Sequence, residues 1–129
     1  GITVPENGVI AAGGKEIQGM NPLSVYRAGI HIAYVPEEVQ YGSTTYKVTG
    51  IDYLGNKDIK EISLPGTIKK IADRTFMNCN NLQTVKLGEG ISYVSEEMFY
   101  NCTALKYVSL PNSLQNIGRL AFSYCISIV

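Results

Sequence analysis

From residue 59 onward, apolar and polar positions recur with a spacing that neither an amphipathic helix nor a single β-strand produces. The apolar positions Leu82, Val85, Leu87, Ile91, Val94, Phe99 and Cys102 set out the pattern, and residues of similar character stand 23 positions before and after them. Ile62 and Val108 match Val85, Leu64 and Leu110 match Leu87, Ile68 and Leu114 match Ile91, and Ile71 and Ile117 match Val94. All three Phe (Phe76, Phe99, Phe122) and all three Cys (Cys79, Cys102, Cys125) keep the same period. Two sparse residue types in one phase identify an internal repeat. Its units are 59–81, 82–104 and 105–127, with Ile128 and Val129 opening a further one.

Within a unit, the alternation Val85-x-Leu87 predicts a strand with one buried face, ended at a common position by Pro65, Gly88 or Pro111. A turn follows at Gly66-Thr67, Glu89-Gly90 and Asn112-Ser113, then a second short strand. Residues 72–78 and their equivalents, such as SEEMFYN, hold helix formers without Pro or Gly and predict one or two helical turns. No unit this short buries its own apolar stripe, so the units must stack, strand beside strand at ~4.8 Å, into a parallel ladder.

Residues 1–48 read as an N-terminal β cap. Ile2-Thr3-Val4, Lys15 to Gln18, Ser24-Val25-Tyr26, Ile30 to Val35, Val39-Gln40-Tyr41 and Tyr46 to Ile51 alternate apolar and polar residues between Gly- and Pro-containing breaks. They predict short antiparallel strands, with VQYGSTTYKV (39–48) as the clearest hairpin. The repeat region then runs over 49–129. Residues 49–58 look like the tail of a degenerate unit, because Ile51 lies eight residues before Ile59 where Ile71 lies eleven before Leu82. An atypical terminal repeat suits a capping role.

The run LKYVSLPNSLQNIGRLAFSYC (105–125) resembles the BspA-like leucine-rich repeats of bacterial surface proteins, and VQYGSTTYKVTGI (39–51) is similar to the entry segment of such arrays. The resemblance implies a leucine-rich repeat solenoid, mostly β with short helical segments, coiling right-handed. It also implies a secreted or cell-surface location and adhesion to host matrix proteins or to other bacteria. Gly88, where the neighbouring units carry Pro, departs from the pattern, and the array is short beside many relatives.

Composition narrows the function. The 129 residues suffice for one domain. Eleven Lys+Arg against eleven Asp+Glu leave no basic surplus for counterion release, which argues against a nucleic-acid partner. No apolar run has the ~18–20 residues that span a bilayer. The chain opens at Gly1 without a signal segment, as a processed or trimmed piece does.

Three Cys and His31 suggest zinc, but thiols at one phase of a stack form a row instead of converging on a point, and no C-x₂₋₄-C clip is present. Parallel, equivalent Cys also disfavour a disulfide. Thiols packed as small apolar groups near backbone atoms fit better. Nothing like G-x-S-x-G accompanies His31, and Gly13-Gly14 lacks the context of a phosphate loop. Glu37-Glu38 and Glu96-Glu97 are adjacent pairs that point apart and suit solvated positions. The sequon Asn101-Cys102-Thr103 shares its Asn phase with Asn78, which favours a structural role. The expectation is a chain without enzymatic activity, metal or cofactor.

The strand face opposite the core is the candidate binding surface. Glu61 and Ser63, Thr84 and Lys86, Tyr107 and Ser109 should lie side by side on it, flanked by Lys60, Gln83 and Lys106, with Tyr107 as anchor. The expected partners are host or bacterial surface proteins of the extracellular-matrix type. Alternatives are glycan binding, through nine Tyr of which Tyr26, Tyr34, Tyr41, Tyr46 and Tyr53 lie in the N-terminal part, or a spacer role. The open core after CISIV predicts end-to-end self-association or continuation into more repeats.

Overall fold

The structure, a computed structural model, describes residues 9–12, 15–18, 32–41, 43–51 and 58–129. The expected strands at Ile2-Thr3-Val4 and Ser24-Val25-Tyr26, the residues Gly13-Gly14, Ile30 and His31, and residues 52–57 with Tyr53 lie outside these.

Each repeat unit contributes two short strands, as its alternation predicts. The first strands are β6 (Glu61–Ser63), β8 (Thr84–Lys86) and β10 (Tyr107–Ser109), and the second are β7 (Lys70–Ile71), β9 (Tyr93–Val94) and β11 (Asn116–Ile117). The first strands form a parallel sheet in strict register, Glu61 beside Thr84 beside Tyr107 and Ser63 beside Lys86 beside Ser109. Between them Ile62 and Val85 are buried, in the core row that Val108 continues half-buried.

The same sheet has a fourth strand. β3 (Ile32–Tyr34) pairs parallel with β6, Ile32 beside Glu61 and Tyr34 beside Ser63. The antiparallel expectation for Ile30 to Val35 is therefore corrected. The register sets Val35 and Pro36 against Leu64 and Pro65, and Val35 is buried like Leu64. Fifteen residues separate Pro36 from Ile51 where six separate Pro65 from Ile71, which breaks the 23-residue period.

The longer connection holds a hairpin of β4 (Glu38–Tyr41) and β5 (Thr44–Ile51), antiparallel as expected for 39–48. On its other side β5 pairs antiparallel with β1 (Val9–Ala12), which pairs with β2 (Lys15–Gln18). The end of β5 runs parallel to β7, Ile51 beside Ile71, and so joins the antiparallel strands to the repeats.

The expected helical turns at 72–78 and its equivalents are absent: among the described residues none is helical, and these segments are turns. Their hydrogen bonds give the reason. Met77 and Cys79 donate locally to the carbonyls of Arg74 and Phe76, but the N–H groups of Arg74, Phe76 and Asn78 donate to Glu96, Met98 and Tyr100 of the next unit at 2.9–3.1 Å. Glu97, Phe99 and Asn101 repeat the pattern toward Arg119, Ala121 and Ser123. A helix would keep all these donors within its own chain. Left-handed residues at two fixed phases, Arg74, Glu97 and Leu120 (φ 62°, 53° and 56°) and Asn78, Asn101 and Tyr124 (φ 62°, 58° and 62°), turn alternate peptides outward. Asn tolerates this conformation better than most residues. The Asn101 Nδ2 also donates to Asn78 Oδ1 at 2.9 Å, which is the structural role expected for the sequon Asn.

The core is a set of rows. Phe76, Phe99 and Phe122 stack with ring centroids 5.3 Å apart and planes within 5° and 14°. The three Cys form no disulfide. The thiols of Cys102 and Cys125 donate to the carbonyls of Phe76 and Phe99 at 3.0 and 3.1 Å, next to backbone as expected. A further buried row, Thr75, Met98 and Ala121, lies outside the apolar skeleton, and Thr75 Oγ1 donates to the Ala72 carbonyl at 2.7 Å. Ser95 is also buried, its hydroxyl donating to the Ile71 carbonyl.

The departure at residue 88 also has a packing reason. A Cβ on Gly88 would stand 2.4 Å from the Pro65 carbonyl, and one on Gly90 2.0 Å from the Gly66 oxygen. The turn of the middle unit thus lies directly on the backbone of the turn before it. A Cβ on Gly66 would meet nothing nearer than 3.9 Å.

Two predictions follow from this packing. Gly88→Ala and Gly90→Ala should each destabilise the fold by about 1–3 kcal/mol through overpacking, whereas Gly66→Ala should change stability by under about 1 kcal/mol; thermal or denaturant unfolding measures the difference. Burial pushes the Cys125 thiol pKa up, against a smaller lowering by its backbone contact at Cys102. A thiol pKa raised by folding adds stability below the unfolded value that is lost as pH rises through the folded one. In native protein a thiol reagent should therefore modify Cys125 first and slowly, at alkaline pH, with Cys79 and Cys102 reacting only on unfolding; early labelling of Cys79 would contradict the packing.

Candidate functional site

The candidate surface follows from strand geometry. Successive side chains of a strand point to opposite faces, so burying Ile62 and Val85 sends Glu61 with Ser63 and Thr84 with Lys86 to the other side. Tyr107 and Ser109 flank Val108 in the same way. The parallel register then brings all six predicted residues together in two rows across three strands. Glu61, Lys86 and Tyr107 are exposed, while Ser63, Thr84 and Ser109 are half-buried between them. Tyr107 is 58% exposed.

Lys60, Gln83 and Lys106 precede the strands and are part of their bonding. The Lys60 carbonyl accepts from the N–H groups of Gln83 and Thr84, and the Gln83 carbonyl from those of Lys106 and Tyr107. Both lysine side chains are exposed. The ladder continues to Ile32 and Tyr34 at the register positions of Glu61 and Ser63. The sequence reading left this fourth strand out of the surface, although the match of IAYVP (32–36) to EISLP (61–65) was the signal for it.

Charge is distributed unevenly around the repeats. Arg74 Nε lies 2.5 Å from Glu97 Oε2, and Arg119 Nη2 lies 3.0 Å from Glu96 Oε1, each joining neighbouring units at the turn segments. The hydrogen bond to Glu97 and its negative charge raise the Arg74 pKa further above its ordinary value. Asp73 Oδ1 accepts the Glu96 N–H, and Glu89 Oε2 accepts the Asn112 N–H, at 3.1 and 3.2 Å. The pairs Glu96-Glu97 and Asp73-Arg74 therefore tie one unit to the next.

A second feature is apolar. Leu110, Ile117, Leu120 and Ile126 of the last unit and Ile128 just after it are 41–80% exposed, whereas Leu87 and Val94, the counterparts of Leu110 and Ile117, are at most 5% exposed. Lys106, Tyr107, Val108, Leu110, Phe122, Ile128 and Val129 line a cleft of about 420 Å³ there. Tyr124 is also exposed and meets Tyr100 edge-on at 5.3 Å. Among the described residues, no three His, Cys, Asp or Glu side chains are grouped so as to hold a metal ion.

The family model for the BspA type leucine-rich repeat region (6 copies) matches residues 45–129. Among solved structures, a leucine-rich repeat protein from Bacteroides ovatus is similar at 26% identity over 90% of this chain and 32% of its own, with a TM-score of 0.70. One from Bacteroides capillosus is 31% identical over 70% of this chain and 67% of its own, with a TM-score of 0.63. The leucine-rich repeat protein of T. pallidum is 27% identical over 62% of this chain and 41% of its own, with a TM-score of 0.57. The chain thus spans about a third of the Bacteroides ovatus protein and about two fifths of the T. pallidum protein. No curated protein matches it. The 23-residue period, the parallel ladder and the family match agree: the chain belongs to the BspA-type leucine-rich repeat family.

Proposed function

We propose that the chain is a non-enzymatic protein-binding module of the adhesion type, acting at the cell surface or outside the cell, and that it binds through the strand face of its repeats. The observation that carries this reading is the set of in-register strands presenting Glu61, Thr84 and Tyr107 beside Ser63, Lys86 and Ser109. Backbone ladders hold these residues before any partner arrives, so association costs little ordering entropy. An exposed Tyr on such a rigid sheet is suited to anchor a protein contact. The stack reads as a right-handed solenoid, capped at its N-terminal end by the antiparallel strands β2, β1, β5 and β4.

A second reading, supported by the exposure of Ile117, Ile126 and Ile128, is that this face of the last unit is covered either by a second copy of the chain or by further repeats. Apolar side chains beside an unpaired strand edge invite stacking. Sedimentation showing only monomer at every concentration would set the second copy aside and leave further repeats.

The purified chain should bind saturably to at least one member of an immobilised panel of host matrix and plasma proteins, with glycans arrayed alongside. Combined Tyr107→Ala and Lys86→Ala substitution should weaken that binding about tenfold or more, as loss of an anchor does. Unchanged binding by the variant would remove the strand face from the proposal, and binding to glycans alone would move it to carbohydrate.

A further inference from the structure

The two sides of the repeat stack are finished differently. On the N-terminal side both ladders of the first unit are closed, β6 by β3 and β7 by the end of β5, and the N–H groups of Lys69 and Ala72 donate to the Thr49 and Ile51 carbonyls. On the C-terminal side the last unit lacks the bonds that its predecessor makes. The N–H groups of Leu87, Glu97, Phe99 and Asn101 donate to the carbonyls of Ser109, Arg119, Ala121 and Ser123 in the following unit at 2.8–3.1 Å. Their counterparts 23 residues on, Leu110, Leu120, Phe122 and Tyr124, have no acceptor for their N–H groups among the described residues. Burial follows the same division: Val85, Phe99 and Cys102 are fully buried, whereas Val108, Phe122 and Cys125 are half-buried.

Open donors and open apolar rows thus share one face, and the cleft against Val108, Leu110 and Phe122 lies on it. An occupant that is only apolar would bury the four N–H groups without acceptors, which is costly. The matching surface carries carbonyls at the phases of Ser109, Arg119, Ala121 and Ser123 and an aromatic ring to stack on Phe122, as Phe122 stacks on Phe99. It also brings a thiol or hydroxyl to the Phe122 carbonyl, as Cys125 brings one to that of Phe99. In this chain each surface of that design is already in use. Unit 82–104 presents it to 59–81, unit 105–127 presents it to 82–104, and the first unit meets β3 and β5 on that side. A second intact copy therefore has no vacant strand edge there to pair with β10.

We infer that the occupant of this face is one more repeat unit of the same design, stacked in phase on residues 105–127, and not a second copy of the chain. This rests on the reading that the last unit is covered, and it decides between the two occupants named there. The interface between units 82–104 and 105–127 continues through such a unit unchanged. A unit this short does not complete its own core, so it arrives as continuing polypeptide and not as a free partner.

The test extends the full chain by a copy of its own residues 84–104 placed after Val129, so that Ile128 and Val129 take the places of Leu82 and Gln83. The middle unit suits the position because Gly88 and Gly90 clear the turn of a unit that carries Pro65, and the last unit carries Pro111 at the same phase. A second extension uses residues 107–127, and a control carries the first one in scrambled order. Amide hydrogen exchange and sedimentation are the readouts. In the unextended chain the N–H groups of Leu110, Leu120, Phe122 and Tyr124 should exchange fast, and the chain should stay monomeric. Either in-phase extension should slow those four about tenfold or more, with a higher melting temperature, and the scrambled one should not. A concentration-dependent dimer of the unextended chain that protects the same four amides would overturn the inference while the covered-face reading stands. If neither in-phase extension protects them beyond the scrambled control and the chain is monomeric throughout, both fall.

Discussion

A repeat unit of 23 residues can complete neither its core nor its hydrogen bonds alone, and the rest of this structure depends on that constraint. Phe99 is fully buried because Phe76 and Phe122 lie on either side of it at 5.3 Å. The N–H groups of Phe76 and Phe99 each find their acceptor one unit away. The Cys102 thiol does the same in the opposite direction, reaching back to the Phe76 carbonyl. Stability here is shared between neighbours, as nearest-neighbour accounts of repeat proteins describe.

Equal spacing on all sides of the unit follows from this dependence. The first strands set a separation of ~4.8 Å through their ladder, and every other position must fit it. Gly88 and Gly90 remove side chains where two turns would otherwise collide. Asn78 and Asn101 answer one another by a side-chain bond while holding left-handed backbone. Arg74 with Glu97 and Glu96 with Arg119 close the turn edge, a modest contribution at this exposure that nonetheless uses up acidic groups. The strand face is left with Glu61, Lys86 and Tyr107 exposed, away from the ion pairs that tie the units together.

Much of this was legible in the sequence, because the period places identical chemistry at identical depth. The phases of Phe76, Phe99 and Phe122 and the alternation around Ile62, Val85 and Val108 located the core and the exposed strand residues. Other features were not legible. Residues such as SEEMFYN carry helical propensity, which lost to the gain from donating alternate N–H groups to the adjoining unit. β3 escaped notice because the hairpin between Pro36 and Ile51 shifts it out of the 23-residue frame. Ser95 and Thr75 are polar types that pattern reading assigns to the surface, yet each is buried with its hydroxyl on a carbonyl. The candidate face was readable as a list of residues, while the ion pairs of Arg74 and Arg119 that join the units at the turn segments were not.

Amide hydrogen exchange across the intact chain tests the dependence between units most directly. If neighbours hold the turn segments, the N–H groups of Arg74, Phe76, Asn78, Glu97, Phe99 and Asn101 should be protected together, at a level close to that of Leu64 and Leu87 in the strand ladder, and all should be released in one cooperative step. Rapid exchange at those six amides, with protection confined to the strands, would show that each turn is held only by its own chain and would contradict the account.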